Sequence, residues 1–234
     1  MCTVTYLPLN SEGFILTSNR DESPMRKTLP PQRYLERHTE LIYPRDKVGG
    51  GTWIGVSSKS RLVCLLNGGF ERHERTMRYR MSRGIVVTNL LTVDRLVRYI
   101  ENVDFNNIEP FTIILIDWSK SLKTYELVWD GLERHFQQLD HKPKIWSSSM
   151  LYTSEMRAKR EEWFKDWLTD HPQYDQKDIV DFHQNTDRGT KEYALRIKRP
   201  FVETVSMTSV KKDEQLTLDY IHFRDVEKTF IQLQ

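Results

Sequence analysis

Strand-like segments in this chain fall in adjacent pairs, and helical segments fall in two blocks between them rather than alternating with single strands. Adjacent strands joined by short turns pair antiparallel, whereas a parallel sheet needs a crossover, usually a helix, between successive strands. The order strands, helices, strands, helices, strands therefore predicts an α+β fold and argues against a doubly wound parallel sheet. Two antiparallel sheets with helices on their outer faces fit that order.

The first pair is Thr3–Leu7 and Phe14–Ser18, joined by Pro8-Leu9-Asn10-Ser11-Glu12-Gly13, which is turn chemistry. With Leu7 opposite Phe14, Thr3 faces Ser18 and Cys2 faces Asn19, so Asn19-Arg20-Asp21-Glu22 emerges beside the chain start. Residues 23–48 hold several prolines and many charges and read as an extended surface loop. Strands follow at Thr52–Val56 and Arg61–Leu66, then helical spacing at Ser82–Leu91 and Val93–Val103, with Thr92 as N-cap of the second. Thr112–Trp118 is an apolar strand. Thr124–Trp129 and Leu132–Phe136 form a hairpin turning at Asp130-Gly131. Ser154–Leu168 and Gln176–Gln184 are helical, and Val202–Val210 with Glu214–His222 closes the chain as a final hairpin. Without a repeat or linker, residues 1–234 read as one domain.

Cys2 stands directly behind Met1. If Met1 is removed, one residue carries a nucleophile and a base: an α-amino group of reference pKa about 7.7–8.0 beside a thiol of about 8.5. The amine can take the thiol's proton directly or through one water. In the Asn19–Glu22 run, Arg20 is placed to favour the thiolate and Asp21 to orient the amine. Leu66-Asn67-Gly68-Gly69 ends a strand with an amide side chain and backbone N–H groups expected to be open, which suits an oxyanion hole. Gly49-Gly50-Gly51-Thr52-Trp53 lacks the lysine and spacing of a phosphate loop and reads as close backbone packing or a wall on the substrate side. The catalytic set is thus Cys2, Arg20, Asp21 and Asn67, with Asn19, Trp53 and Gly68 assigned to substrate binding.

Several classes are set aside. The net charge is only +2, so no global field draws the chain to nucleic acid or an anionic membrane. The longest apolar runs, such as Ile113–Ile116, are far short of a membrane span. The seven histidines show no zinc or metalloprotease spacing, so no metal and no cofactor is expected. The second of two cysteines, Cys64, lies in an apolar run and reads as core filling. With no secretory leader at residues 2–7, the expectation is a cytoplasmic protein acting on a small-molecule substrate or ligand. Arg72, Arg75, Arg78, Arg80 and Arg83 form the one basic cluster, read as a solvated loop. It is the only feature behind a rival reading as a scaffold for protein partners.

The opening Met1–Thr5, the Asn19-Arg20-Asp21-Glu22 run, Gly50-Gly51-Thr52-Trp53-Ile54-Gly55-Val56, and Leu65-Leu66-Asn67 followed by Ser82-Arg83-Gly84 together resemble the NRDE family, also named after transport and Golgi organisation protein 2. The resemblance implies an N-terminal-nucleophile hydrolase-like fold, a four-layer αββα sandwich. It also implies distant kinship with the choloylglycine hydrolase and penicillin V acylase group, which cleave linear amide bonds. Cys2, Arg20 and Asp21 occupy places similar to that group's nucleophile, arginine and aspartate, and Asn67 resembles its oxyanion-hole asparagine. Many bacterial family members carry Ser-Asn before an apolar pair, where this chain reads Ser147-Ser148-Ser149-Met150-Leu151, so the resemblance puts Ser148 in the place of the hydrolases' second asparagine, at the substrate. The hydrolases' late arginine has no counterpart in Val202–Met207, and Arg199 lies just before that strand. These two differences support a second reading: a carrier of the same fold that lost the chemistry and holds haem or an acyl lipid near Trp53, Trp146 and Tyr152.

Overall fold

A computed structural model describes residues 3–76, 78–225 and 227–233. In chain order its strands and helices are β1 (Thr3–Pro8), β2 (Phe14–Glu22), β3 (Thr28–Glu36), β4 (Thr39–Asp46), β5 (Ile54–Ser57), β6 (Arg61–Asn67), α1 (Arg83–Thr92), α2 (Leu96–Asn102), β7 (Phe111–Asp117), β8 (Lys123–Trp129) and β9 (Arg134–Leu139). They continue with β10 (Lys144–Ser147), α3 (Ser154–Asp170), α4 (Gln176–Gln184), β11 (Glu203–Lys212), β12 (Leu216–His222) and β13 (Glu227–Leu233). The chain divides into two compact units, one from the described residues up to Met25 and from Lys142 onward, the other from Arg26–His141.

The first unit holds a six-stranded antiparallel sheet in the order β10-β1-β2-β11-β12-β13. Leu7, Ile15 and Ile145 on one face of it pack against Phe164 and Trp167 of α3 and Phe182 of α4. Both helices start on side-chain caps: Thr153 accepts from the Met156 N–H, and Asp175 with Asp178 closes a reciprocal capping box. The β1–β2 register differs from the expected one by a residue. Thr3 lies opposite Asn19 and Pro8 opposite Phe14, because Leu9 N–H donates to the Gly13 carbonyl at 3.0 Å and Pro8 belongs to the strand. A one-residue slip exchanges the faces of every side chain, so this decides which groups share a surface. The Cys2 half of that expectation lies outside the described residues.

The second unit is a seven-stranded antiparallel meander, β3 through β9 in sequence order. Leu62–Leu66 and Ile113–Ile116 are buried throughout, as expected for central strands covered on both faces. Helix α1 packs on β5 and β6. Its N-cap is Ser82, and its last turn is held by the buried Arg61, whose Nη1 donates to the Leu90 and Val93 carbonyls at 2.7 and 2.9 Å.

Three expectations need correction. Residues 23–48 are not one loop but contain the β3–β4 hairpin. Pro30 and Pro31 sit where its register shifts, between Leu29 and Gln32, on the edge strand, where proline is tolerated. Thr92 does not cap α2: its hydroxyl donates back to the Thr88 carbonyl at 3.0 Å, and α2 begins three residues later than expected, at Leu96. The closing hairpin is also not terminal, since β13 pairs with β12 along its length.

Candidate functional site

Strand β2 places the four-residue run Asn19–Glu22, and its pleat sends neighbours to opposite faces of the sheet. Asn19 shares the helix-covered face with Thr17, Thr3 and Thr5. Its Nδ2 donates to the His183 and Leu195 carbonyls, both at 2.9 Å, while its buried Oδ1 has no hydrogen-bond partner among the described residues. The Asn19 amide therefore ties the end of α4 to the 195 segment. Both amide hydrogens of Asn19, expected at the substrate, are committed to these carbonyls.

Asp21 is buried, and both carboxylate oxygens are engaged. The Tyr152 hydroxyl donates to Oδ2 at 2.7 Å and the Thr204 hydroxyl to Oδ1 at 2.5 Å. A register shift in β11 between Thr204 and Ser206 makes this possible by bringing Thr204 opposite Asp21 while Ser206 stays opposite Arg20. Arg20 is 2 % exposed and lies on the other face, with Ser206 and Tyr220. Burial raises the Tyr220 phenol's pKa, and Ser206 and the Arg20 charge pull it part of the way back.

Sequence reasoning missed Arg160. It is fully buried, and its Nη1 donates to the Thr3 hydroxyl at 2.6 Å, its Nε to the Tyr193 carbonyl at 3.1 Å and its Nη2 to the Ala194 carbonyl. Its guanidinium carbon stands 3.5 Å from the centroid of the Tyr152 ring, a cation–π stack on the same phenol that donates to Asp21. Arg199 lies over that ring at 5.3 Å. The signal was present in α3: Arg160, Phe164 and Trp167 follow a helical stripe, so one cation stands on an apolar face. His183 is buried as well, with Nε2 2.8 Å from the Thr5 hydroxyl and no partner at Nδ1 among the described residues. Burial first, and the Arg160 charge second, lower its pKa to about 3, so its ring is neutral. Ser148 is buried in the turn before α3, its carbonyl accepting from the Leu151 and Tyr152 N–H groups at 3.3 and 3.1 Å.

Three expected site residues belong to the second unit. Asn67 is half-buried and ends β6 opposite Phe111. Gly68 has φ +90°, a left-handed angle suited to glycine, but its N–H is not open. It donates to the Pro110 carbonyl at 3.0 Å, and the Gly68 carbonyl accepts from the Thr112 hydroxyl at 3.0 Å. The Gly68 amide thus holds the strand end in this conformation. Trp53 is buried, with its carbonyl accepting from Leu65 N–H at 2.8 Å. The glycine block before it serves close packing. A Cβ on Gly51 would stand 2.7 Å from the Gly84 carbonyl carbon, so the Gly-Gly-Thr-Trp and Ser-Arg-Gly segments meet backbone to backbone.

The structure therefore holds Asn19, Arg20 and Asp21 on β2, with Tyr152 and Arg160 beside Asp21 and Asn19 on the helix-covered face and Arg20 on the other, and places Asn67, Gly68 and Trp53 in the other unit. Cys2 lies outside the described residues. The basic loop is not wholly solvated: Arg75 and the half-buried Arg83 meet Glu109 at 2.9 and 3.0 Å. Among the described residues no three His, Cys, Asp or Glu side chains are grouped to hold a metal ion. No helix among them is long and apolar enough to cross a membrane.

The family model described as Transport and Golgi organisation 2 matches residues 1–223. No curated protein sequence gives a significant match. Among solved structures, the chain is similar to penicillin V acylase from Agrobacterium tumefaciens (11% identity, 100% of this chain and 86% of that one, TM-score 0.53). It is similar to a variant of conjugated bile acid hydrolase from Clostridium perfringens (7% identity, 99% and 92%, TM-score 0.63). The N-acylethanolamine-hydrolyzing acid amidase ortholog of Caenorhabditis elegans is a third (11% identity, 89% and 92%, TM-score 0.61). At such identities the likeness speaks for fold alone, and the fold it shows is the α+β, N-terminal-nucleophile hydrolase-like one that the resemblance implied.

Proposed function

The chain belongs to the Transport and Golgi organisation 2 family, and on that footing we propose that it is an N-terminal cysteine hydrolase of linear amide bonds. Loss of Met1 exposes the Cys2 amine. The amine takes the thiol proton, the sulfur attacks the acyl carbonyl, and the tetrahedral intermediate expels the amine product as the C–N bond breaks and the proton passes to nitrogen. The resulting thioester is cleared by water, which yields the carboxylic acid and restores the thiol. In this reading Arg20 favours the thiolate, Asp21 orients the α-ammonium and the Asn67 amide donates to the oxyanion. The solved neighbours named as an acylase, a bile acid hydrolase and an acid amidase support the reaction class. The reading treats both units as one domain and the protein as cytoplasmic, with a small-molecule substrate.

The observation that carries the reading is Asp21. A buried carboxylate gripped by two hydroxyl donors lies on the strand paired with β1, whose first described residue, Thr3, follows Cys2 directly. A screen of acylated amines with wild type and Cys2→Ala tests it, alongside intact mass to establish that Met1 is removed. Turnover is expected in wild type and is abolished by Cys2→Ala. Equal rates in the two proteins sink catalysis by Cys2.

Two observations favour the carrier reading: Ser148 stands where many bacterial family members have asparagine, and the Gly68 N–H is spent on Pro110. That reading requires a saturable spectral shift on titration with haem, or saturable binding of an acyl lipid, in a protein that turns over no amide.

A further inference from the structure

Helix α4 packs on β2 and β11 and leaves the outer strands of the same sheet, β12 and β13, at its side. Gln176 in its first turn fixes that placement: its Nε2 donates to the Ser209 carbonyl and hydroxyl at 3.3 and 3.1 Å. The register carries the helix-covered face outward from there. Asp219 lies opposite Ser209 and Phe230, and Ile221 lies opposite Met207 and Lys228. Directly opposed residues in antiparallel strands share one face. Between α4 and these two strands, wholly within the first unit, lies an open groove of about 520 Å³. Its walls include Lys177 and Val180 of α4, Asp219 and Ile221 of β12, and Lys228 and Phe230 of β13. A mostly apolar lining with a few charged groups, at this volume, is the make-up of a small-molecule site.

The charges of this groove are unmatched within the chain. Among the described residues, none of the Asp219, Lys177 and Lys228 side chains has a hydrogen-bond or ion-pair partner. Asp219 is half-buried, and burial raises its carboxyl's pKa with no cation among the described residues to pull it back. Lys228 stands diagonally from Asp219 across the β12–β13 pair. Such positions are about 7–8 Å apart, which leaves room for a molecule between the two charges. The three charges select the occupant. A wholly apolar ligand would cover Asp219 without giving it a partner. A simple anion would set a like charge beside Asp219, and a simple ammonium would face the two lysines. A molecule with an ammonium, a carboxylate and an apolar group matches each wall, with charge-assisted hydrogen bonds at both ends.

We propose that this groove binds a small ammonium–carboxylate zwitterion with an apolar side chain, an α-amino acid or a dipeptide. Its ammonium meets Asp219, its carboxylate meets Lys228 and Lys177, and its side chain lies on Val180, Ile221 and Phe230. The site does not depend on the hydrolase reading. Lys228 and Phe230 also lie beyond residue 223, where the family match ends.

Calorimetry on the full chain tests it with L-phenylalanine, with phenethylamine, which lacks the carboxylate, and with 3-phenylpropionate, which lacks the ammonium. None of the three holds an amide bond, so the proposed hydrolysis does not enter the measurement. Phenylalanine is expected to bind saturably and about tenfold more tightly than either relative. L-leucyl-L-phenylalanine separates the two sources of the same chemistry: tighter binding of the dipeptide assigns the groove to peptides, and tighter binding of phenylalanine assigns it to free amino acids. Asp219→Asn should abolish the preference over 3-phenylpropionate. Lys177→Gln/Lys228→Gln, at two exposed positions, should abolish the preference over phenethylamine. No saturable binding of phenylalanine or the dipeptide, binding of either relative as tight as that of phenylalanine, or preferences unchanged in the variants overturns the site. Should Asp219→Asn fail to melt cooperatively, the lysine double variant decides by the same comparison.

Discussion

Arg160 and His183 show how the first unit spends buried polar groups. The Arg160 cation has no ion-pair partner among the described residues. Two carbonyl and two hydroxyl acceptors and the Tyr152 ring compensate it, and the Asp21 carboxylate lies just beyond that ring. His183 stays neutral beside that charge, with a folded pKa of about 3 against an unfolded value near 6.5. Because the folded value is the lower one, the unfolded chain binds the extra proton between these limits. The stability this neutral ring permits is intact above pH 6.5 and is lost as pH falls toward 3, by about 1.4 kcal/mol per pH unit. Urea unfolding of wild type and His183→Gln at pH 7 and pH 4.5 checks this. The wild type should lose more stability between the two than the variant, and parallel losses would exclude the assignment. At this scale the sequence was only partly legible. Arg20 and Asp21 stood out as a charged run after a strand, but Arg160 is one cation among many in α3, and only its spacing from Phe164 and Trp167 marked it.

Elements were legible where periodicity and turn chemistry agreed. Helix α4 was read to its residue limits, since its capping box and amphipathic spacing are local. The Asp130-Gly131 turn is where it was expected, with Gly131 at φ +105°. Strands β3 and β10 were missed for opposite reasons. Prolines mask β3, which tolerates them only because it is an edge, while β10 is a four-residue strand whose pairing with β1 spans more than the length of the second unit. The glycine block was legible as tight packing, though not its partner, the start of α1. That contact gives a prediction for the element. Gly51→Ala puts a Cβ 2.7 Å from backbone that cannot step aside, whereas Gly49→Ala meets its first atom, the end of the Arg26 side chain, at 3.4 Å. The first substitution should cost about 1–3 kcal/mol of overpacking. At about 2–4 °C per kcal/mol for a chain of this size, its melting temperature should fall by several degrees while Gly49→Ala stays within about 2 °C. Equal melting temperatures would mean that the backbones do not meet as described.

For the molecule as a whole, the family match ends at residue 223 and β13 begins at Glu227, so the last strand lies outside the stretch the family shares. The first unit draws its sheet from both ends of the chain. Its inner strands β1, β2 and β11 carry Thr3, Asn19, Arg20, Asp21, Thr204 and Ser206, and all of these lie inside the matched stretch. Strand β13 is different in kind. Among the described residues it pairs only with β12, none of its own is buried, and Phe230 is 62 % exposed. Its removal takes away one ladder of hydrogen bonds and little apolar burial, and leaves β12 as the new edge. A chain ending at Asp225 keeps the Arg224 contacts to Glu203 and the Pro24 carbonyl, which tie the end of β12 to β11 and β2. We expect that truncated chain to unfold in a single cooperative transition, with a melting temperature lower by several degrees. Any amide turnover found in the full chain should survive within a few-fold. The new edge should also show in self-association at high concentration, because an unpaired strand offers its backbone to a second chain. Loss of the cooperative transition would mean that β13 is part of what holds the candidate site, and that the first unit cannot be built from the family's shared residues alone.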